Sequence, residues 1–111
     1  MADLDATLSA LADPTRRGVV EVLKAGPQRA SKLAELLEQT PPAMSRHLRV
    51  LRQAGLVYEE SPPEDARIRL YRLNRAPFSE LSEWVSEVEA FWGDQLDSFK
   101  RHVERRARRR R

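Results

Sequence analysis

Cysteine is absent from the 111 residues, and histidine occurs only twice. The first absence excludes disulfides, thiolate metal sites, thiol redox sensing and a cysteine nucleophile, and it suits the cytoplasm, where the chain is expected to work. Long apolar runs are also missing, so no segment reads as a membrane span. The N-terminus lacks the basic-then-apolar order of a signal peptide. With two dispersed histidines and acids that fall mostly on one exposed helix face, nothing assembles a nucleophile, a base and an orienting group. Neither an enzyme nor a cofactor is expected.

Positive charge is scarcer than the formal +3 suggests. Residues 105–111 hold six arginines, and without them 14 basic groups face 17 acidic ones. The charge that remains is segregated. Residues 14–58 carry eight Lys/Arg against three Asp/Glu, and residues 76–103 carry two against six. The first block attracts phosphate and the second repels it. This asymmetry points to a nucleic-acid partner more strongly than the isoelectric point does. At this length one modest core is expected, spanning residues 1–104, with 105–111 as an arginine-rich, unstructured tail.

The pattern of apolar residues predicts a mainly helical chain with one small β hairpin. Asp3 to Ala12 reads as a short helix with Leu4, Leu8 and Leu11 on one side. Asp13-Pro14 is a cap followed by a proline suited to the first helical position, opening a helix over about 14–25. Ser31 is a cap candidate for a third helix over 32–38, with Leu33, Leu36 and Leu37 facing inward. After Thr40-Pro41-Pro42 comes a fourth helix, cationic on one face, with Met44, Leu48 and Leu51 forming a buried stripe at i, i+4, i+7. Gly55 can take positive φ and end it. Two short helices joined this tightly, the second basic, form a helix-turn-helix pattern.

Leu56–Glu60 and Arg67–Leu73 then read as a hairpin, or wing, around the polar loop 61–66, with Ile68, Leu70 and Arg72 alternating against Arg67, Arg69 and Tyr71. A last helix is expected from Pro77 to Glu104, roughly 40 Å long. Phe78, Leu81, Val85, Val88, Trp92, Leu96, Phe99 and Val103 recur along it at spacings of three and four, widened by Trp84 and Phe91. That stripe exceeds what a small domain can cover. It predicts pairing across a symmetric homodimer, joined by Leu4 and Leu8 of the first helix.

Three stretches, in this order and spacing, resemble the ArsR/SmtB family of winged helix-turn-helix transcriptional repressors. They are Leu11-Ala12-Asp13-Pro14-Thr15-Arg16-Arg17, Ser45-Arg46-His47-Leu48-Arg49-Val50-Leu51-Arg52-Gln53-Ala54-Gly55-Leu56-Val57 and Leu70-Tyr71-Arg72-Leu73. The resemblance covers about residues 4–103. Trp84, Phe91-Trp92 and Leu96 look like a metal-independent subgroup with an extended aromatic C-terminal helix. The resemblance implies a homodimer bound to a roughly palindromic operator, commonly repressing its own operon. Release by a small-molecule or protein effector and constitutive, unliganded repression both stay open.

Two departures stand out. Pro41 and Ala43 lie where relatives often carry Gln and Thr that can read bases, and Pro62-Pro63-Glu64-Asp65 replaces a basic, glycine-containing wing tip. Base reading then falls to Ser45, Arg46, His47 and Arg49, with Arg46 placed for a bidentate contact to guanine. Arg67 and Arg69 are the wing candidates. Arg16 and Arg17 are candidates for phosphate contacts, against the alternative of ordinary intramolecular pairing.

Some relatives bind metals through cysteines or through histidine–carboxylate sets on the last helix. Here His102 with Asp97 or Glu104 lacks one-face spacing, and a metal effector is not expected. The alternative function is a winged-helix protein-interaction module, favoured by the acidic wing and opposed by the basic 14–58 block.

Overall fold

A computed structural model describes residues 3–109. The order of elements is α1 (Leu4–Leu11), α2 (Pro14–Leu23), α3 (Ala30–Leu36), α4 (Pro41–Gln53), β1 (Val57–Glu60), β2 (Leu70–Leu73) and α5 (Arg75–Arg109). The strands pair antiparallel, Val57 opposite Leu73 and Glu60 opposite Leu70. This is a mainly helical winged helix-turn-helix with a two-stranded wing. By its packing the chain divides into residues up to Glu80 and residues from Leu81.

In the first unit the core is Ala10, Val19, Leu23, Leu33, Ala34, Met44, Leu48, Leu51, Leu56 and Val57. The Asp13 carboxylate caps α2 by accepting from the backbone N–H of Thr15 at 2.8 Å and of Arg16 at 3.1 Å. Thr40 caps α4 through the Ala43 N–H at 3.3 Å, and Pro41 and Pro42 occupy the first turn, where no intrahelical N–H is needed.

At the other end of α4, Leu56 N–H reaches the Leu51 carbonyl and Gly55 N–H the Arg52 carbonyl. With Gly55 at φ +79° this is a Schellman closure. The same closure ends α3, where Gln39 N–H bonds Ala34 O and Glu38 N–H bonds Glu35 O. There the left-handed position is held by Glu38, at φ +53°.

Four sequence expectations are corrected. The third helix begins at Ala30 with Arg29 as its cap residue, and Ser31 lies inside it. The cause is upstream, because Gln28 pairs with Tyr71 through two backbone bonds of 3.1 and 2.8 Å and brings the chain into helix early. In the same helix Leu33 and Ala34 are buried while Leu36 stays 48% exposed. The first helix packs through Thr7 and Ala10, which are small enough for close approach, and through Leu11, while Leu8, expected at a dimer contact, points outward.

The second strand is shorter than expected and turned over. Tyr71 and Leu73 pack on the core and Arg72 is exposed, while Arg67 to Arg69 belong to the loop. Finally, the last helix continues through residues 105–109 where an unstructured tail was expected. Arginine is a good helix former, and cations at a helix C-terminus complement its dipole. Arg110 and Arg111 lie outside the described residues.

Candidate nucleic-acid interface

The inner face of α4, Met44, Leu48 and Leu51, is fully buried, which fixes the helix against the core and determines what the opposite face presents. At 100° per residue that outer line runs Pro42, Arg46, Arg49, Gln53, all exposed, with Ser45 exposed on one flank and Val50 on the other. Neither the Arg46 nor the Arg49 guanidinium has a hydrogen-bond or ion-pair partner among the described residues. Two unpaired arginines one turn apart on a buried-backed helix are placed to donate to phosphate or base-edge acceptors.

His47 is half-buried at the edge of this face, beside the start of α2. Its Nδ1 lies 3.4 Å from Arg16 Nη1 and 4.0 Å from Asp13 Oδ1. Arg16 is the joint of this corner. Its Nε donates to the Ala10 carbonyl at 2.6 Å and its Nη2 to the Ser9 carbonyl at 3.2 Å. Arg17 Nη1 donates to the Leu11 carbonyl at 2.8 Å. Both arginines therefore satisfy the open C-terminal carbonyls of α1, which favours intramolecular pairing as their role. The Asp13 carboxyl is held below the ordinary aspartate range, chiefly by the Arg16 backbone N–H, with burial opposing and the Thr15 N–H, His47 and Arg16 charge assisting.

The wing is built around Glu59, which the sequence reading did not single out. Its carboxylate accepts from Tyr71 Oη at 2.7 Å, Arg52 Nη1 at 2.8 Å and Arg69 Nη1 at 3.2 Å. These bonds tie the end of α4 to both strands. The Tyr71 hydroxyl bond is the main cause that lowers the Glu59 pKa, against partial burial and with help from the two arginines. Burial first, and then the Glu59 carboxylate, push the Tyr71 phenol up. Arg72 pairs with Glu60 at 2.6 Å, and Arg67 folds back on Asp65 at 3.1 Å in the tip. Arg67 and Arg69, the wing candidates, are thus already matched with carboxylates. A cluster of acids facing arginines across paired strands was the available signal for this hub.

Asn74 fixes the exit from the wing, its N–H on Leu56 O and its side-chain amide on Gly55 O, both at 2.9 Å.

Of the residues expected to dimerise, Leu4 is half-buried, Leu8 is 41% exposed, and Phe78 packs partly on the core. In the second unit Leu81 is half-buried and every later residue described is exposed. Trp84, Val85, Val88, Phe91, Trp92, Leu96, Phe99 and Val103 form a bare apolar stripe, with Trp92 61% and Leu96 and Phe99 66% exposed. Phe91 and Trp92 meet edge to face at 5.8 Å. Among the described residues no three His, Asp or Glu side chains gather as a metal site, and no helix is long and apolar enough to cross a membrane.

Residues 13–59, which run from the α2 cap to the first wing strand, match the model of the family described as bacterial regulatory protein, arsR family. Over 95 residues the chain is 37% identical to the HTH-type transcriptional regulator Rv2034 of Mycobacterium tuberculosis, covering 86% of this chain and 83% of that one. The chain belongs to the ArsR family. It is a DNA-binding transcriptional regulator and not an enzyme, and double-stranded DNA is its partner. The transcriptional repressor SdpR of Bacillus subtilis is 32% identical over 76 residues, 68% of this chain and 81% of its own. Among solved structures, an ArsR-like transcriptional regulator from Rhodococcus sp. RHA1 superposes with a TM-score of 0.77 at 28% identity, covering 91% of this regulator and 90% of that chain.

Proposed function

We propose that this regulator is an autoregulatory repressor that binds a roughly palindromic operator as a homodimer in the bacterial cytoplasm. The observation that carries the reading is the outer line of α4, where Arg46 and Arg49 stand exposed and, among the described residues, unpaired on a helix locked from behind by Met44, Leu48 and Leu51. In this reading α4 enters the major groove, Arg46 contacts a guanine edge, and Ser45, His47 and Arg49 bond to bases or phosphates. Arg67 and Arg69 make weaker wing contacts because each must first leave its carboxylate. Arg16 and Arg17 act behind the interface, on α1.

The bare stripe of α5, with Leu4 and Leu8 of α1, supports pairing of two copies, since a single copy leaves eight large apolar side chains of α5 in water. The dimer places two recognition helices in successive major grooves, and an effector that changed their separation would release the DNA.

The test is fluorescence anisotropy with the chain's own upstream intergenic DNA against a scrambled duplex of equal length, over a salt series. Tight, selective binding that is lost in Arg46→Ala and weakened in His47→Ala supports the reading. Equal affinity for both duplexes, vanishing with salt or with removal of residues 105–111, overturns it in favour of a protein-interaction module.

A further inference from the structure

The first turn of α4 offers carbon where a groove-reading helix commonly offers donors. Pro41 and Pro42 have no backbone N–H, and the Thr40 hydroxyl oxygen accepts from the Ala43 N–H at 3.3 Å, which leaves the two proline rings as the exposed start of the helix. Pro42 is exposed and lies four residues before Arg46 on the same outer line, one helical turn away. A turn is about 5.4 Å and successive base pairs are about 3.4 Å apart, so the Pro42 ring falls one to two base pairs from the base that Arg46 meets. In the major groove one base edge is apolar, the C5-methyl of thymine, and an apolar side chain pressed on any other edge would strand a donor or an acceptor.

We infer that the Pro42 ring reads a thymine methyl in each half-site, one or two base pairs from the guanine contacted by Arg46. The inference rests on α4 being the recognition helix and adds to that reading the chemistry of a second base. Specificity at this position is a matter of fit and of excluding polar edges. The same ring gains less on cytosine, which presents a C5 hydrogen in place of the methyl.

The experiment replaces thymine by deoxyuridine, which removes the methyl and keeps every hydrogen-bonding group. Duplexes selected by the full-length protein from a randomised pool are resynthesised with each half-site thymine changed singly. Binding is then measured for the wild type, Pro42→Ser, Pro42→Ala and Arg46→Ala. The wild type is expected to lose about three- to fivefold at one thymine position per half-site, near the value of one buried methyl. That penalty disappears in Pro42→Ser and is intermediate in Pro42→Ala. Because each variant is compared with itself on two duplexes, a general loss of folded protein cancels.

If no deoxyuridine weakens the wild type, or if the penalty persists undiminished in Pro42→Ser, the Pro42 inference is wrong while the α4 reading stands. If Arg46→Ala binds the selected duplex as the wild type does, the α4 reading itself fails.

Discussion

Arg16 Nη1 faces His47 Nδ1 at 3.4 Å while Asp13 Oδ1 stands 4.0 Å from the same nitrogen, so a guanidinium that favours a lone pair there competes with a carboxylate that favours a proton. Arg16 also holds the Ser9 and Ala10 carbonyls. Arg16→Ala is expected to lower stability by about 1–3 kcal/mol, the range for leaving a partly buried acceptor, here the Ala10 carbonyl, without its donor. Urea unfolding measures the loss, and nitrogen chemical shifts of His47 report the tautomer. A tautomer unchanged in Arg16→Ala would show that Arg16 does not set it.

Glu38 sits in the left-handed region with a side chain that gains nothing from being there. Glu38→Gly is expected to stabilise the protein by about 1 kcal/mol, because glycine takes this C′ position without the Cβ clash. Gly55→Ala, at φ +79°, is expected to cost about 1–2 kcal/mol by the converse argument. Melting temperatures of the two variants should therefore move in opposite directions.

The acid limb of stability is assigned to Glu59 and Asp13. Both carboxyls titrate lower in the folded chain than in the unfolded one, so the folded state favours their ionised forms. Their contribution is fully present above the ordinary carboxylate pKa and is lost as pH falls through the lowered folded values. Glu59→Gln removes one share of this dependence. The variant's unfolding free energy should fall less steeply than the wild type's between about pH 5 and pH 3. Parallel pH curves for the two proteins would contradict the assignment.

Breaking the α5 stripe tests the dimer separately from the DNA surface. Trp92→Glu with Phe99→Glu places charge where apolar contact is expected, and sedimentation equilibrium should show dimers becoming monomers. Operator affinity should drop by tenfold or more as the two half-sites cease to be bound together. A double variant that remains dimeric would move the interface away from this helix.

How far the sequence was legible varies with how local the determinants are. The fourth helix was readable because its stripe, its Thr40 cap, its prolines and Gly55 all lie within sixteen residues and agree. The wing's inner face was not, since Arg67, Ile68, Arg69, Leu70, Tyr71 and Arg72 satisfy either alternation. What decides between them is distant: the backbone pairing of Tyr71 with Gln28 and the hold of Asn74 on Gly55 and Leu56. The start of the third helix was missed for the same reason. Glu38 left no trace because glutamate does not signal positive φ. In α1 the leucine spacing conceals that close approach to the core selects Thr7 and Ala10, which are small. At the site, the exposure of Arg46 and Arg49 was anticipated, whereas the engagement of Arg16 and Arg17 depends on where the chain end of α1 comes to lie.

Four arginines at the wing and its root, Arg52, Arg67, Arg69 and Arg72, are each bonded to a carboxylate. Few cations in this part of the molecule are left to track phosphates that lack the right bases between them. Affinity for arbitrary DNA grows with the number of phosphates neutralised, and one-dimensional sliding depends on that affinity. Contact with arbitrary phosphate is thereby weakened at the wing, and what sequence-independent affinity the molecule has falls to α4 and to the exposed arginines near the end of α5.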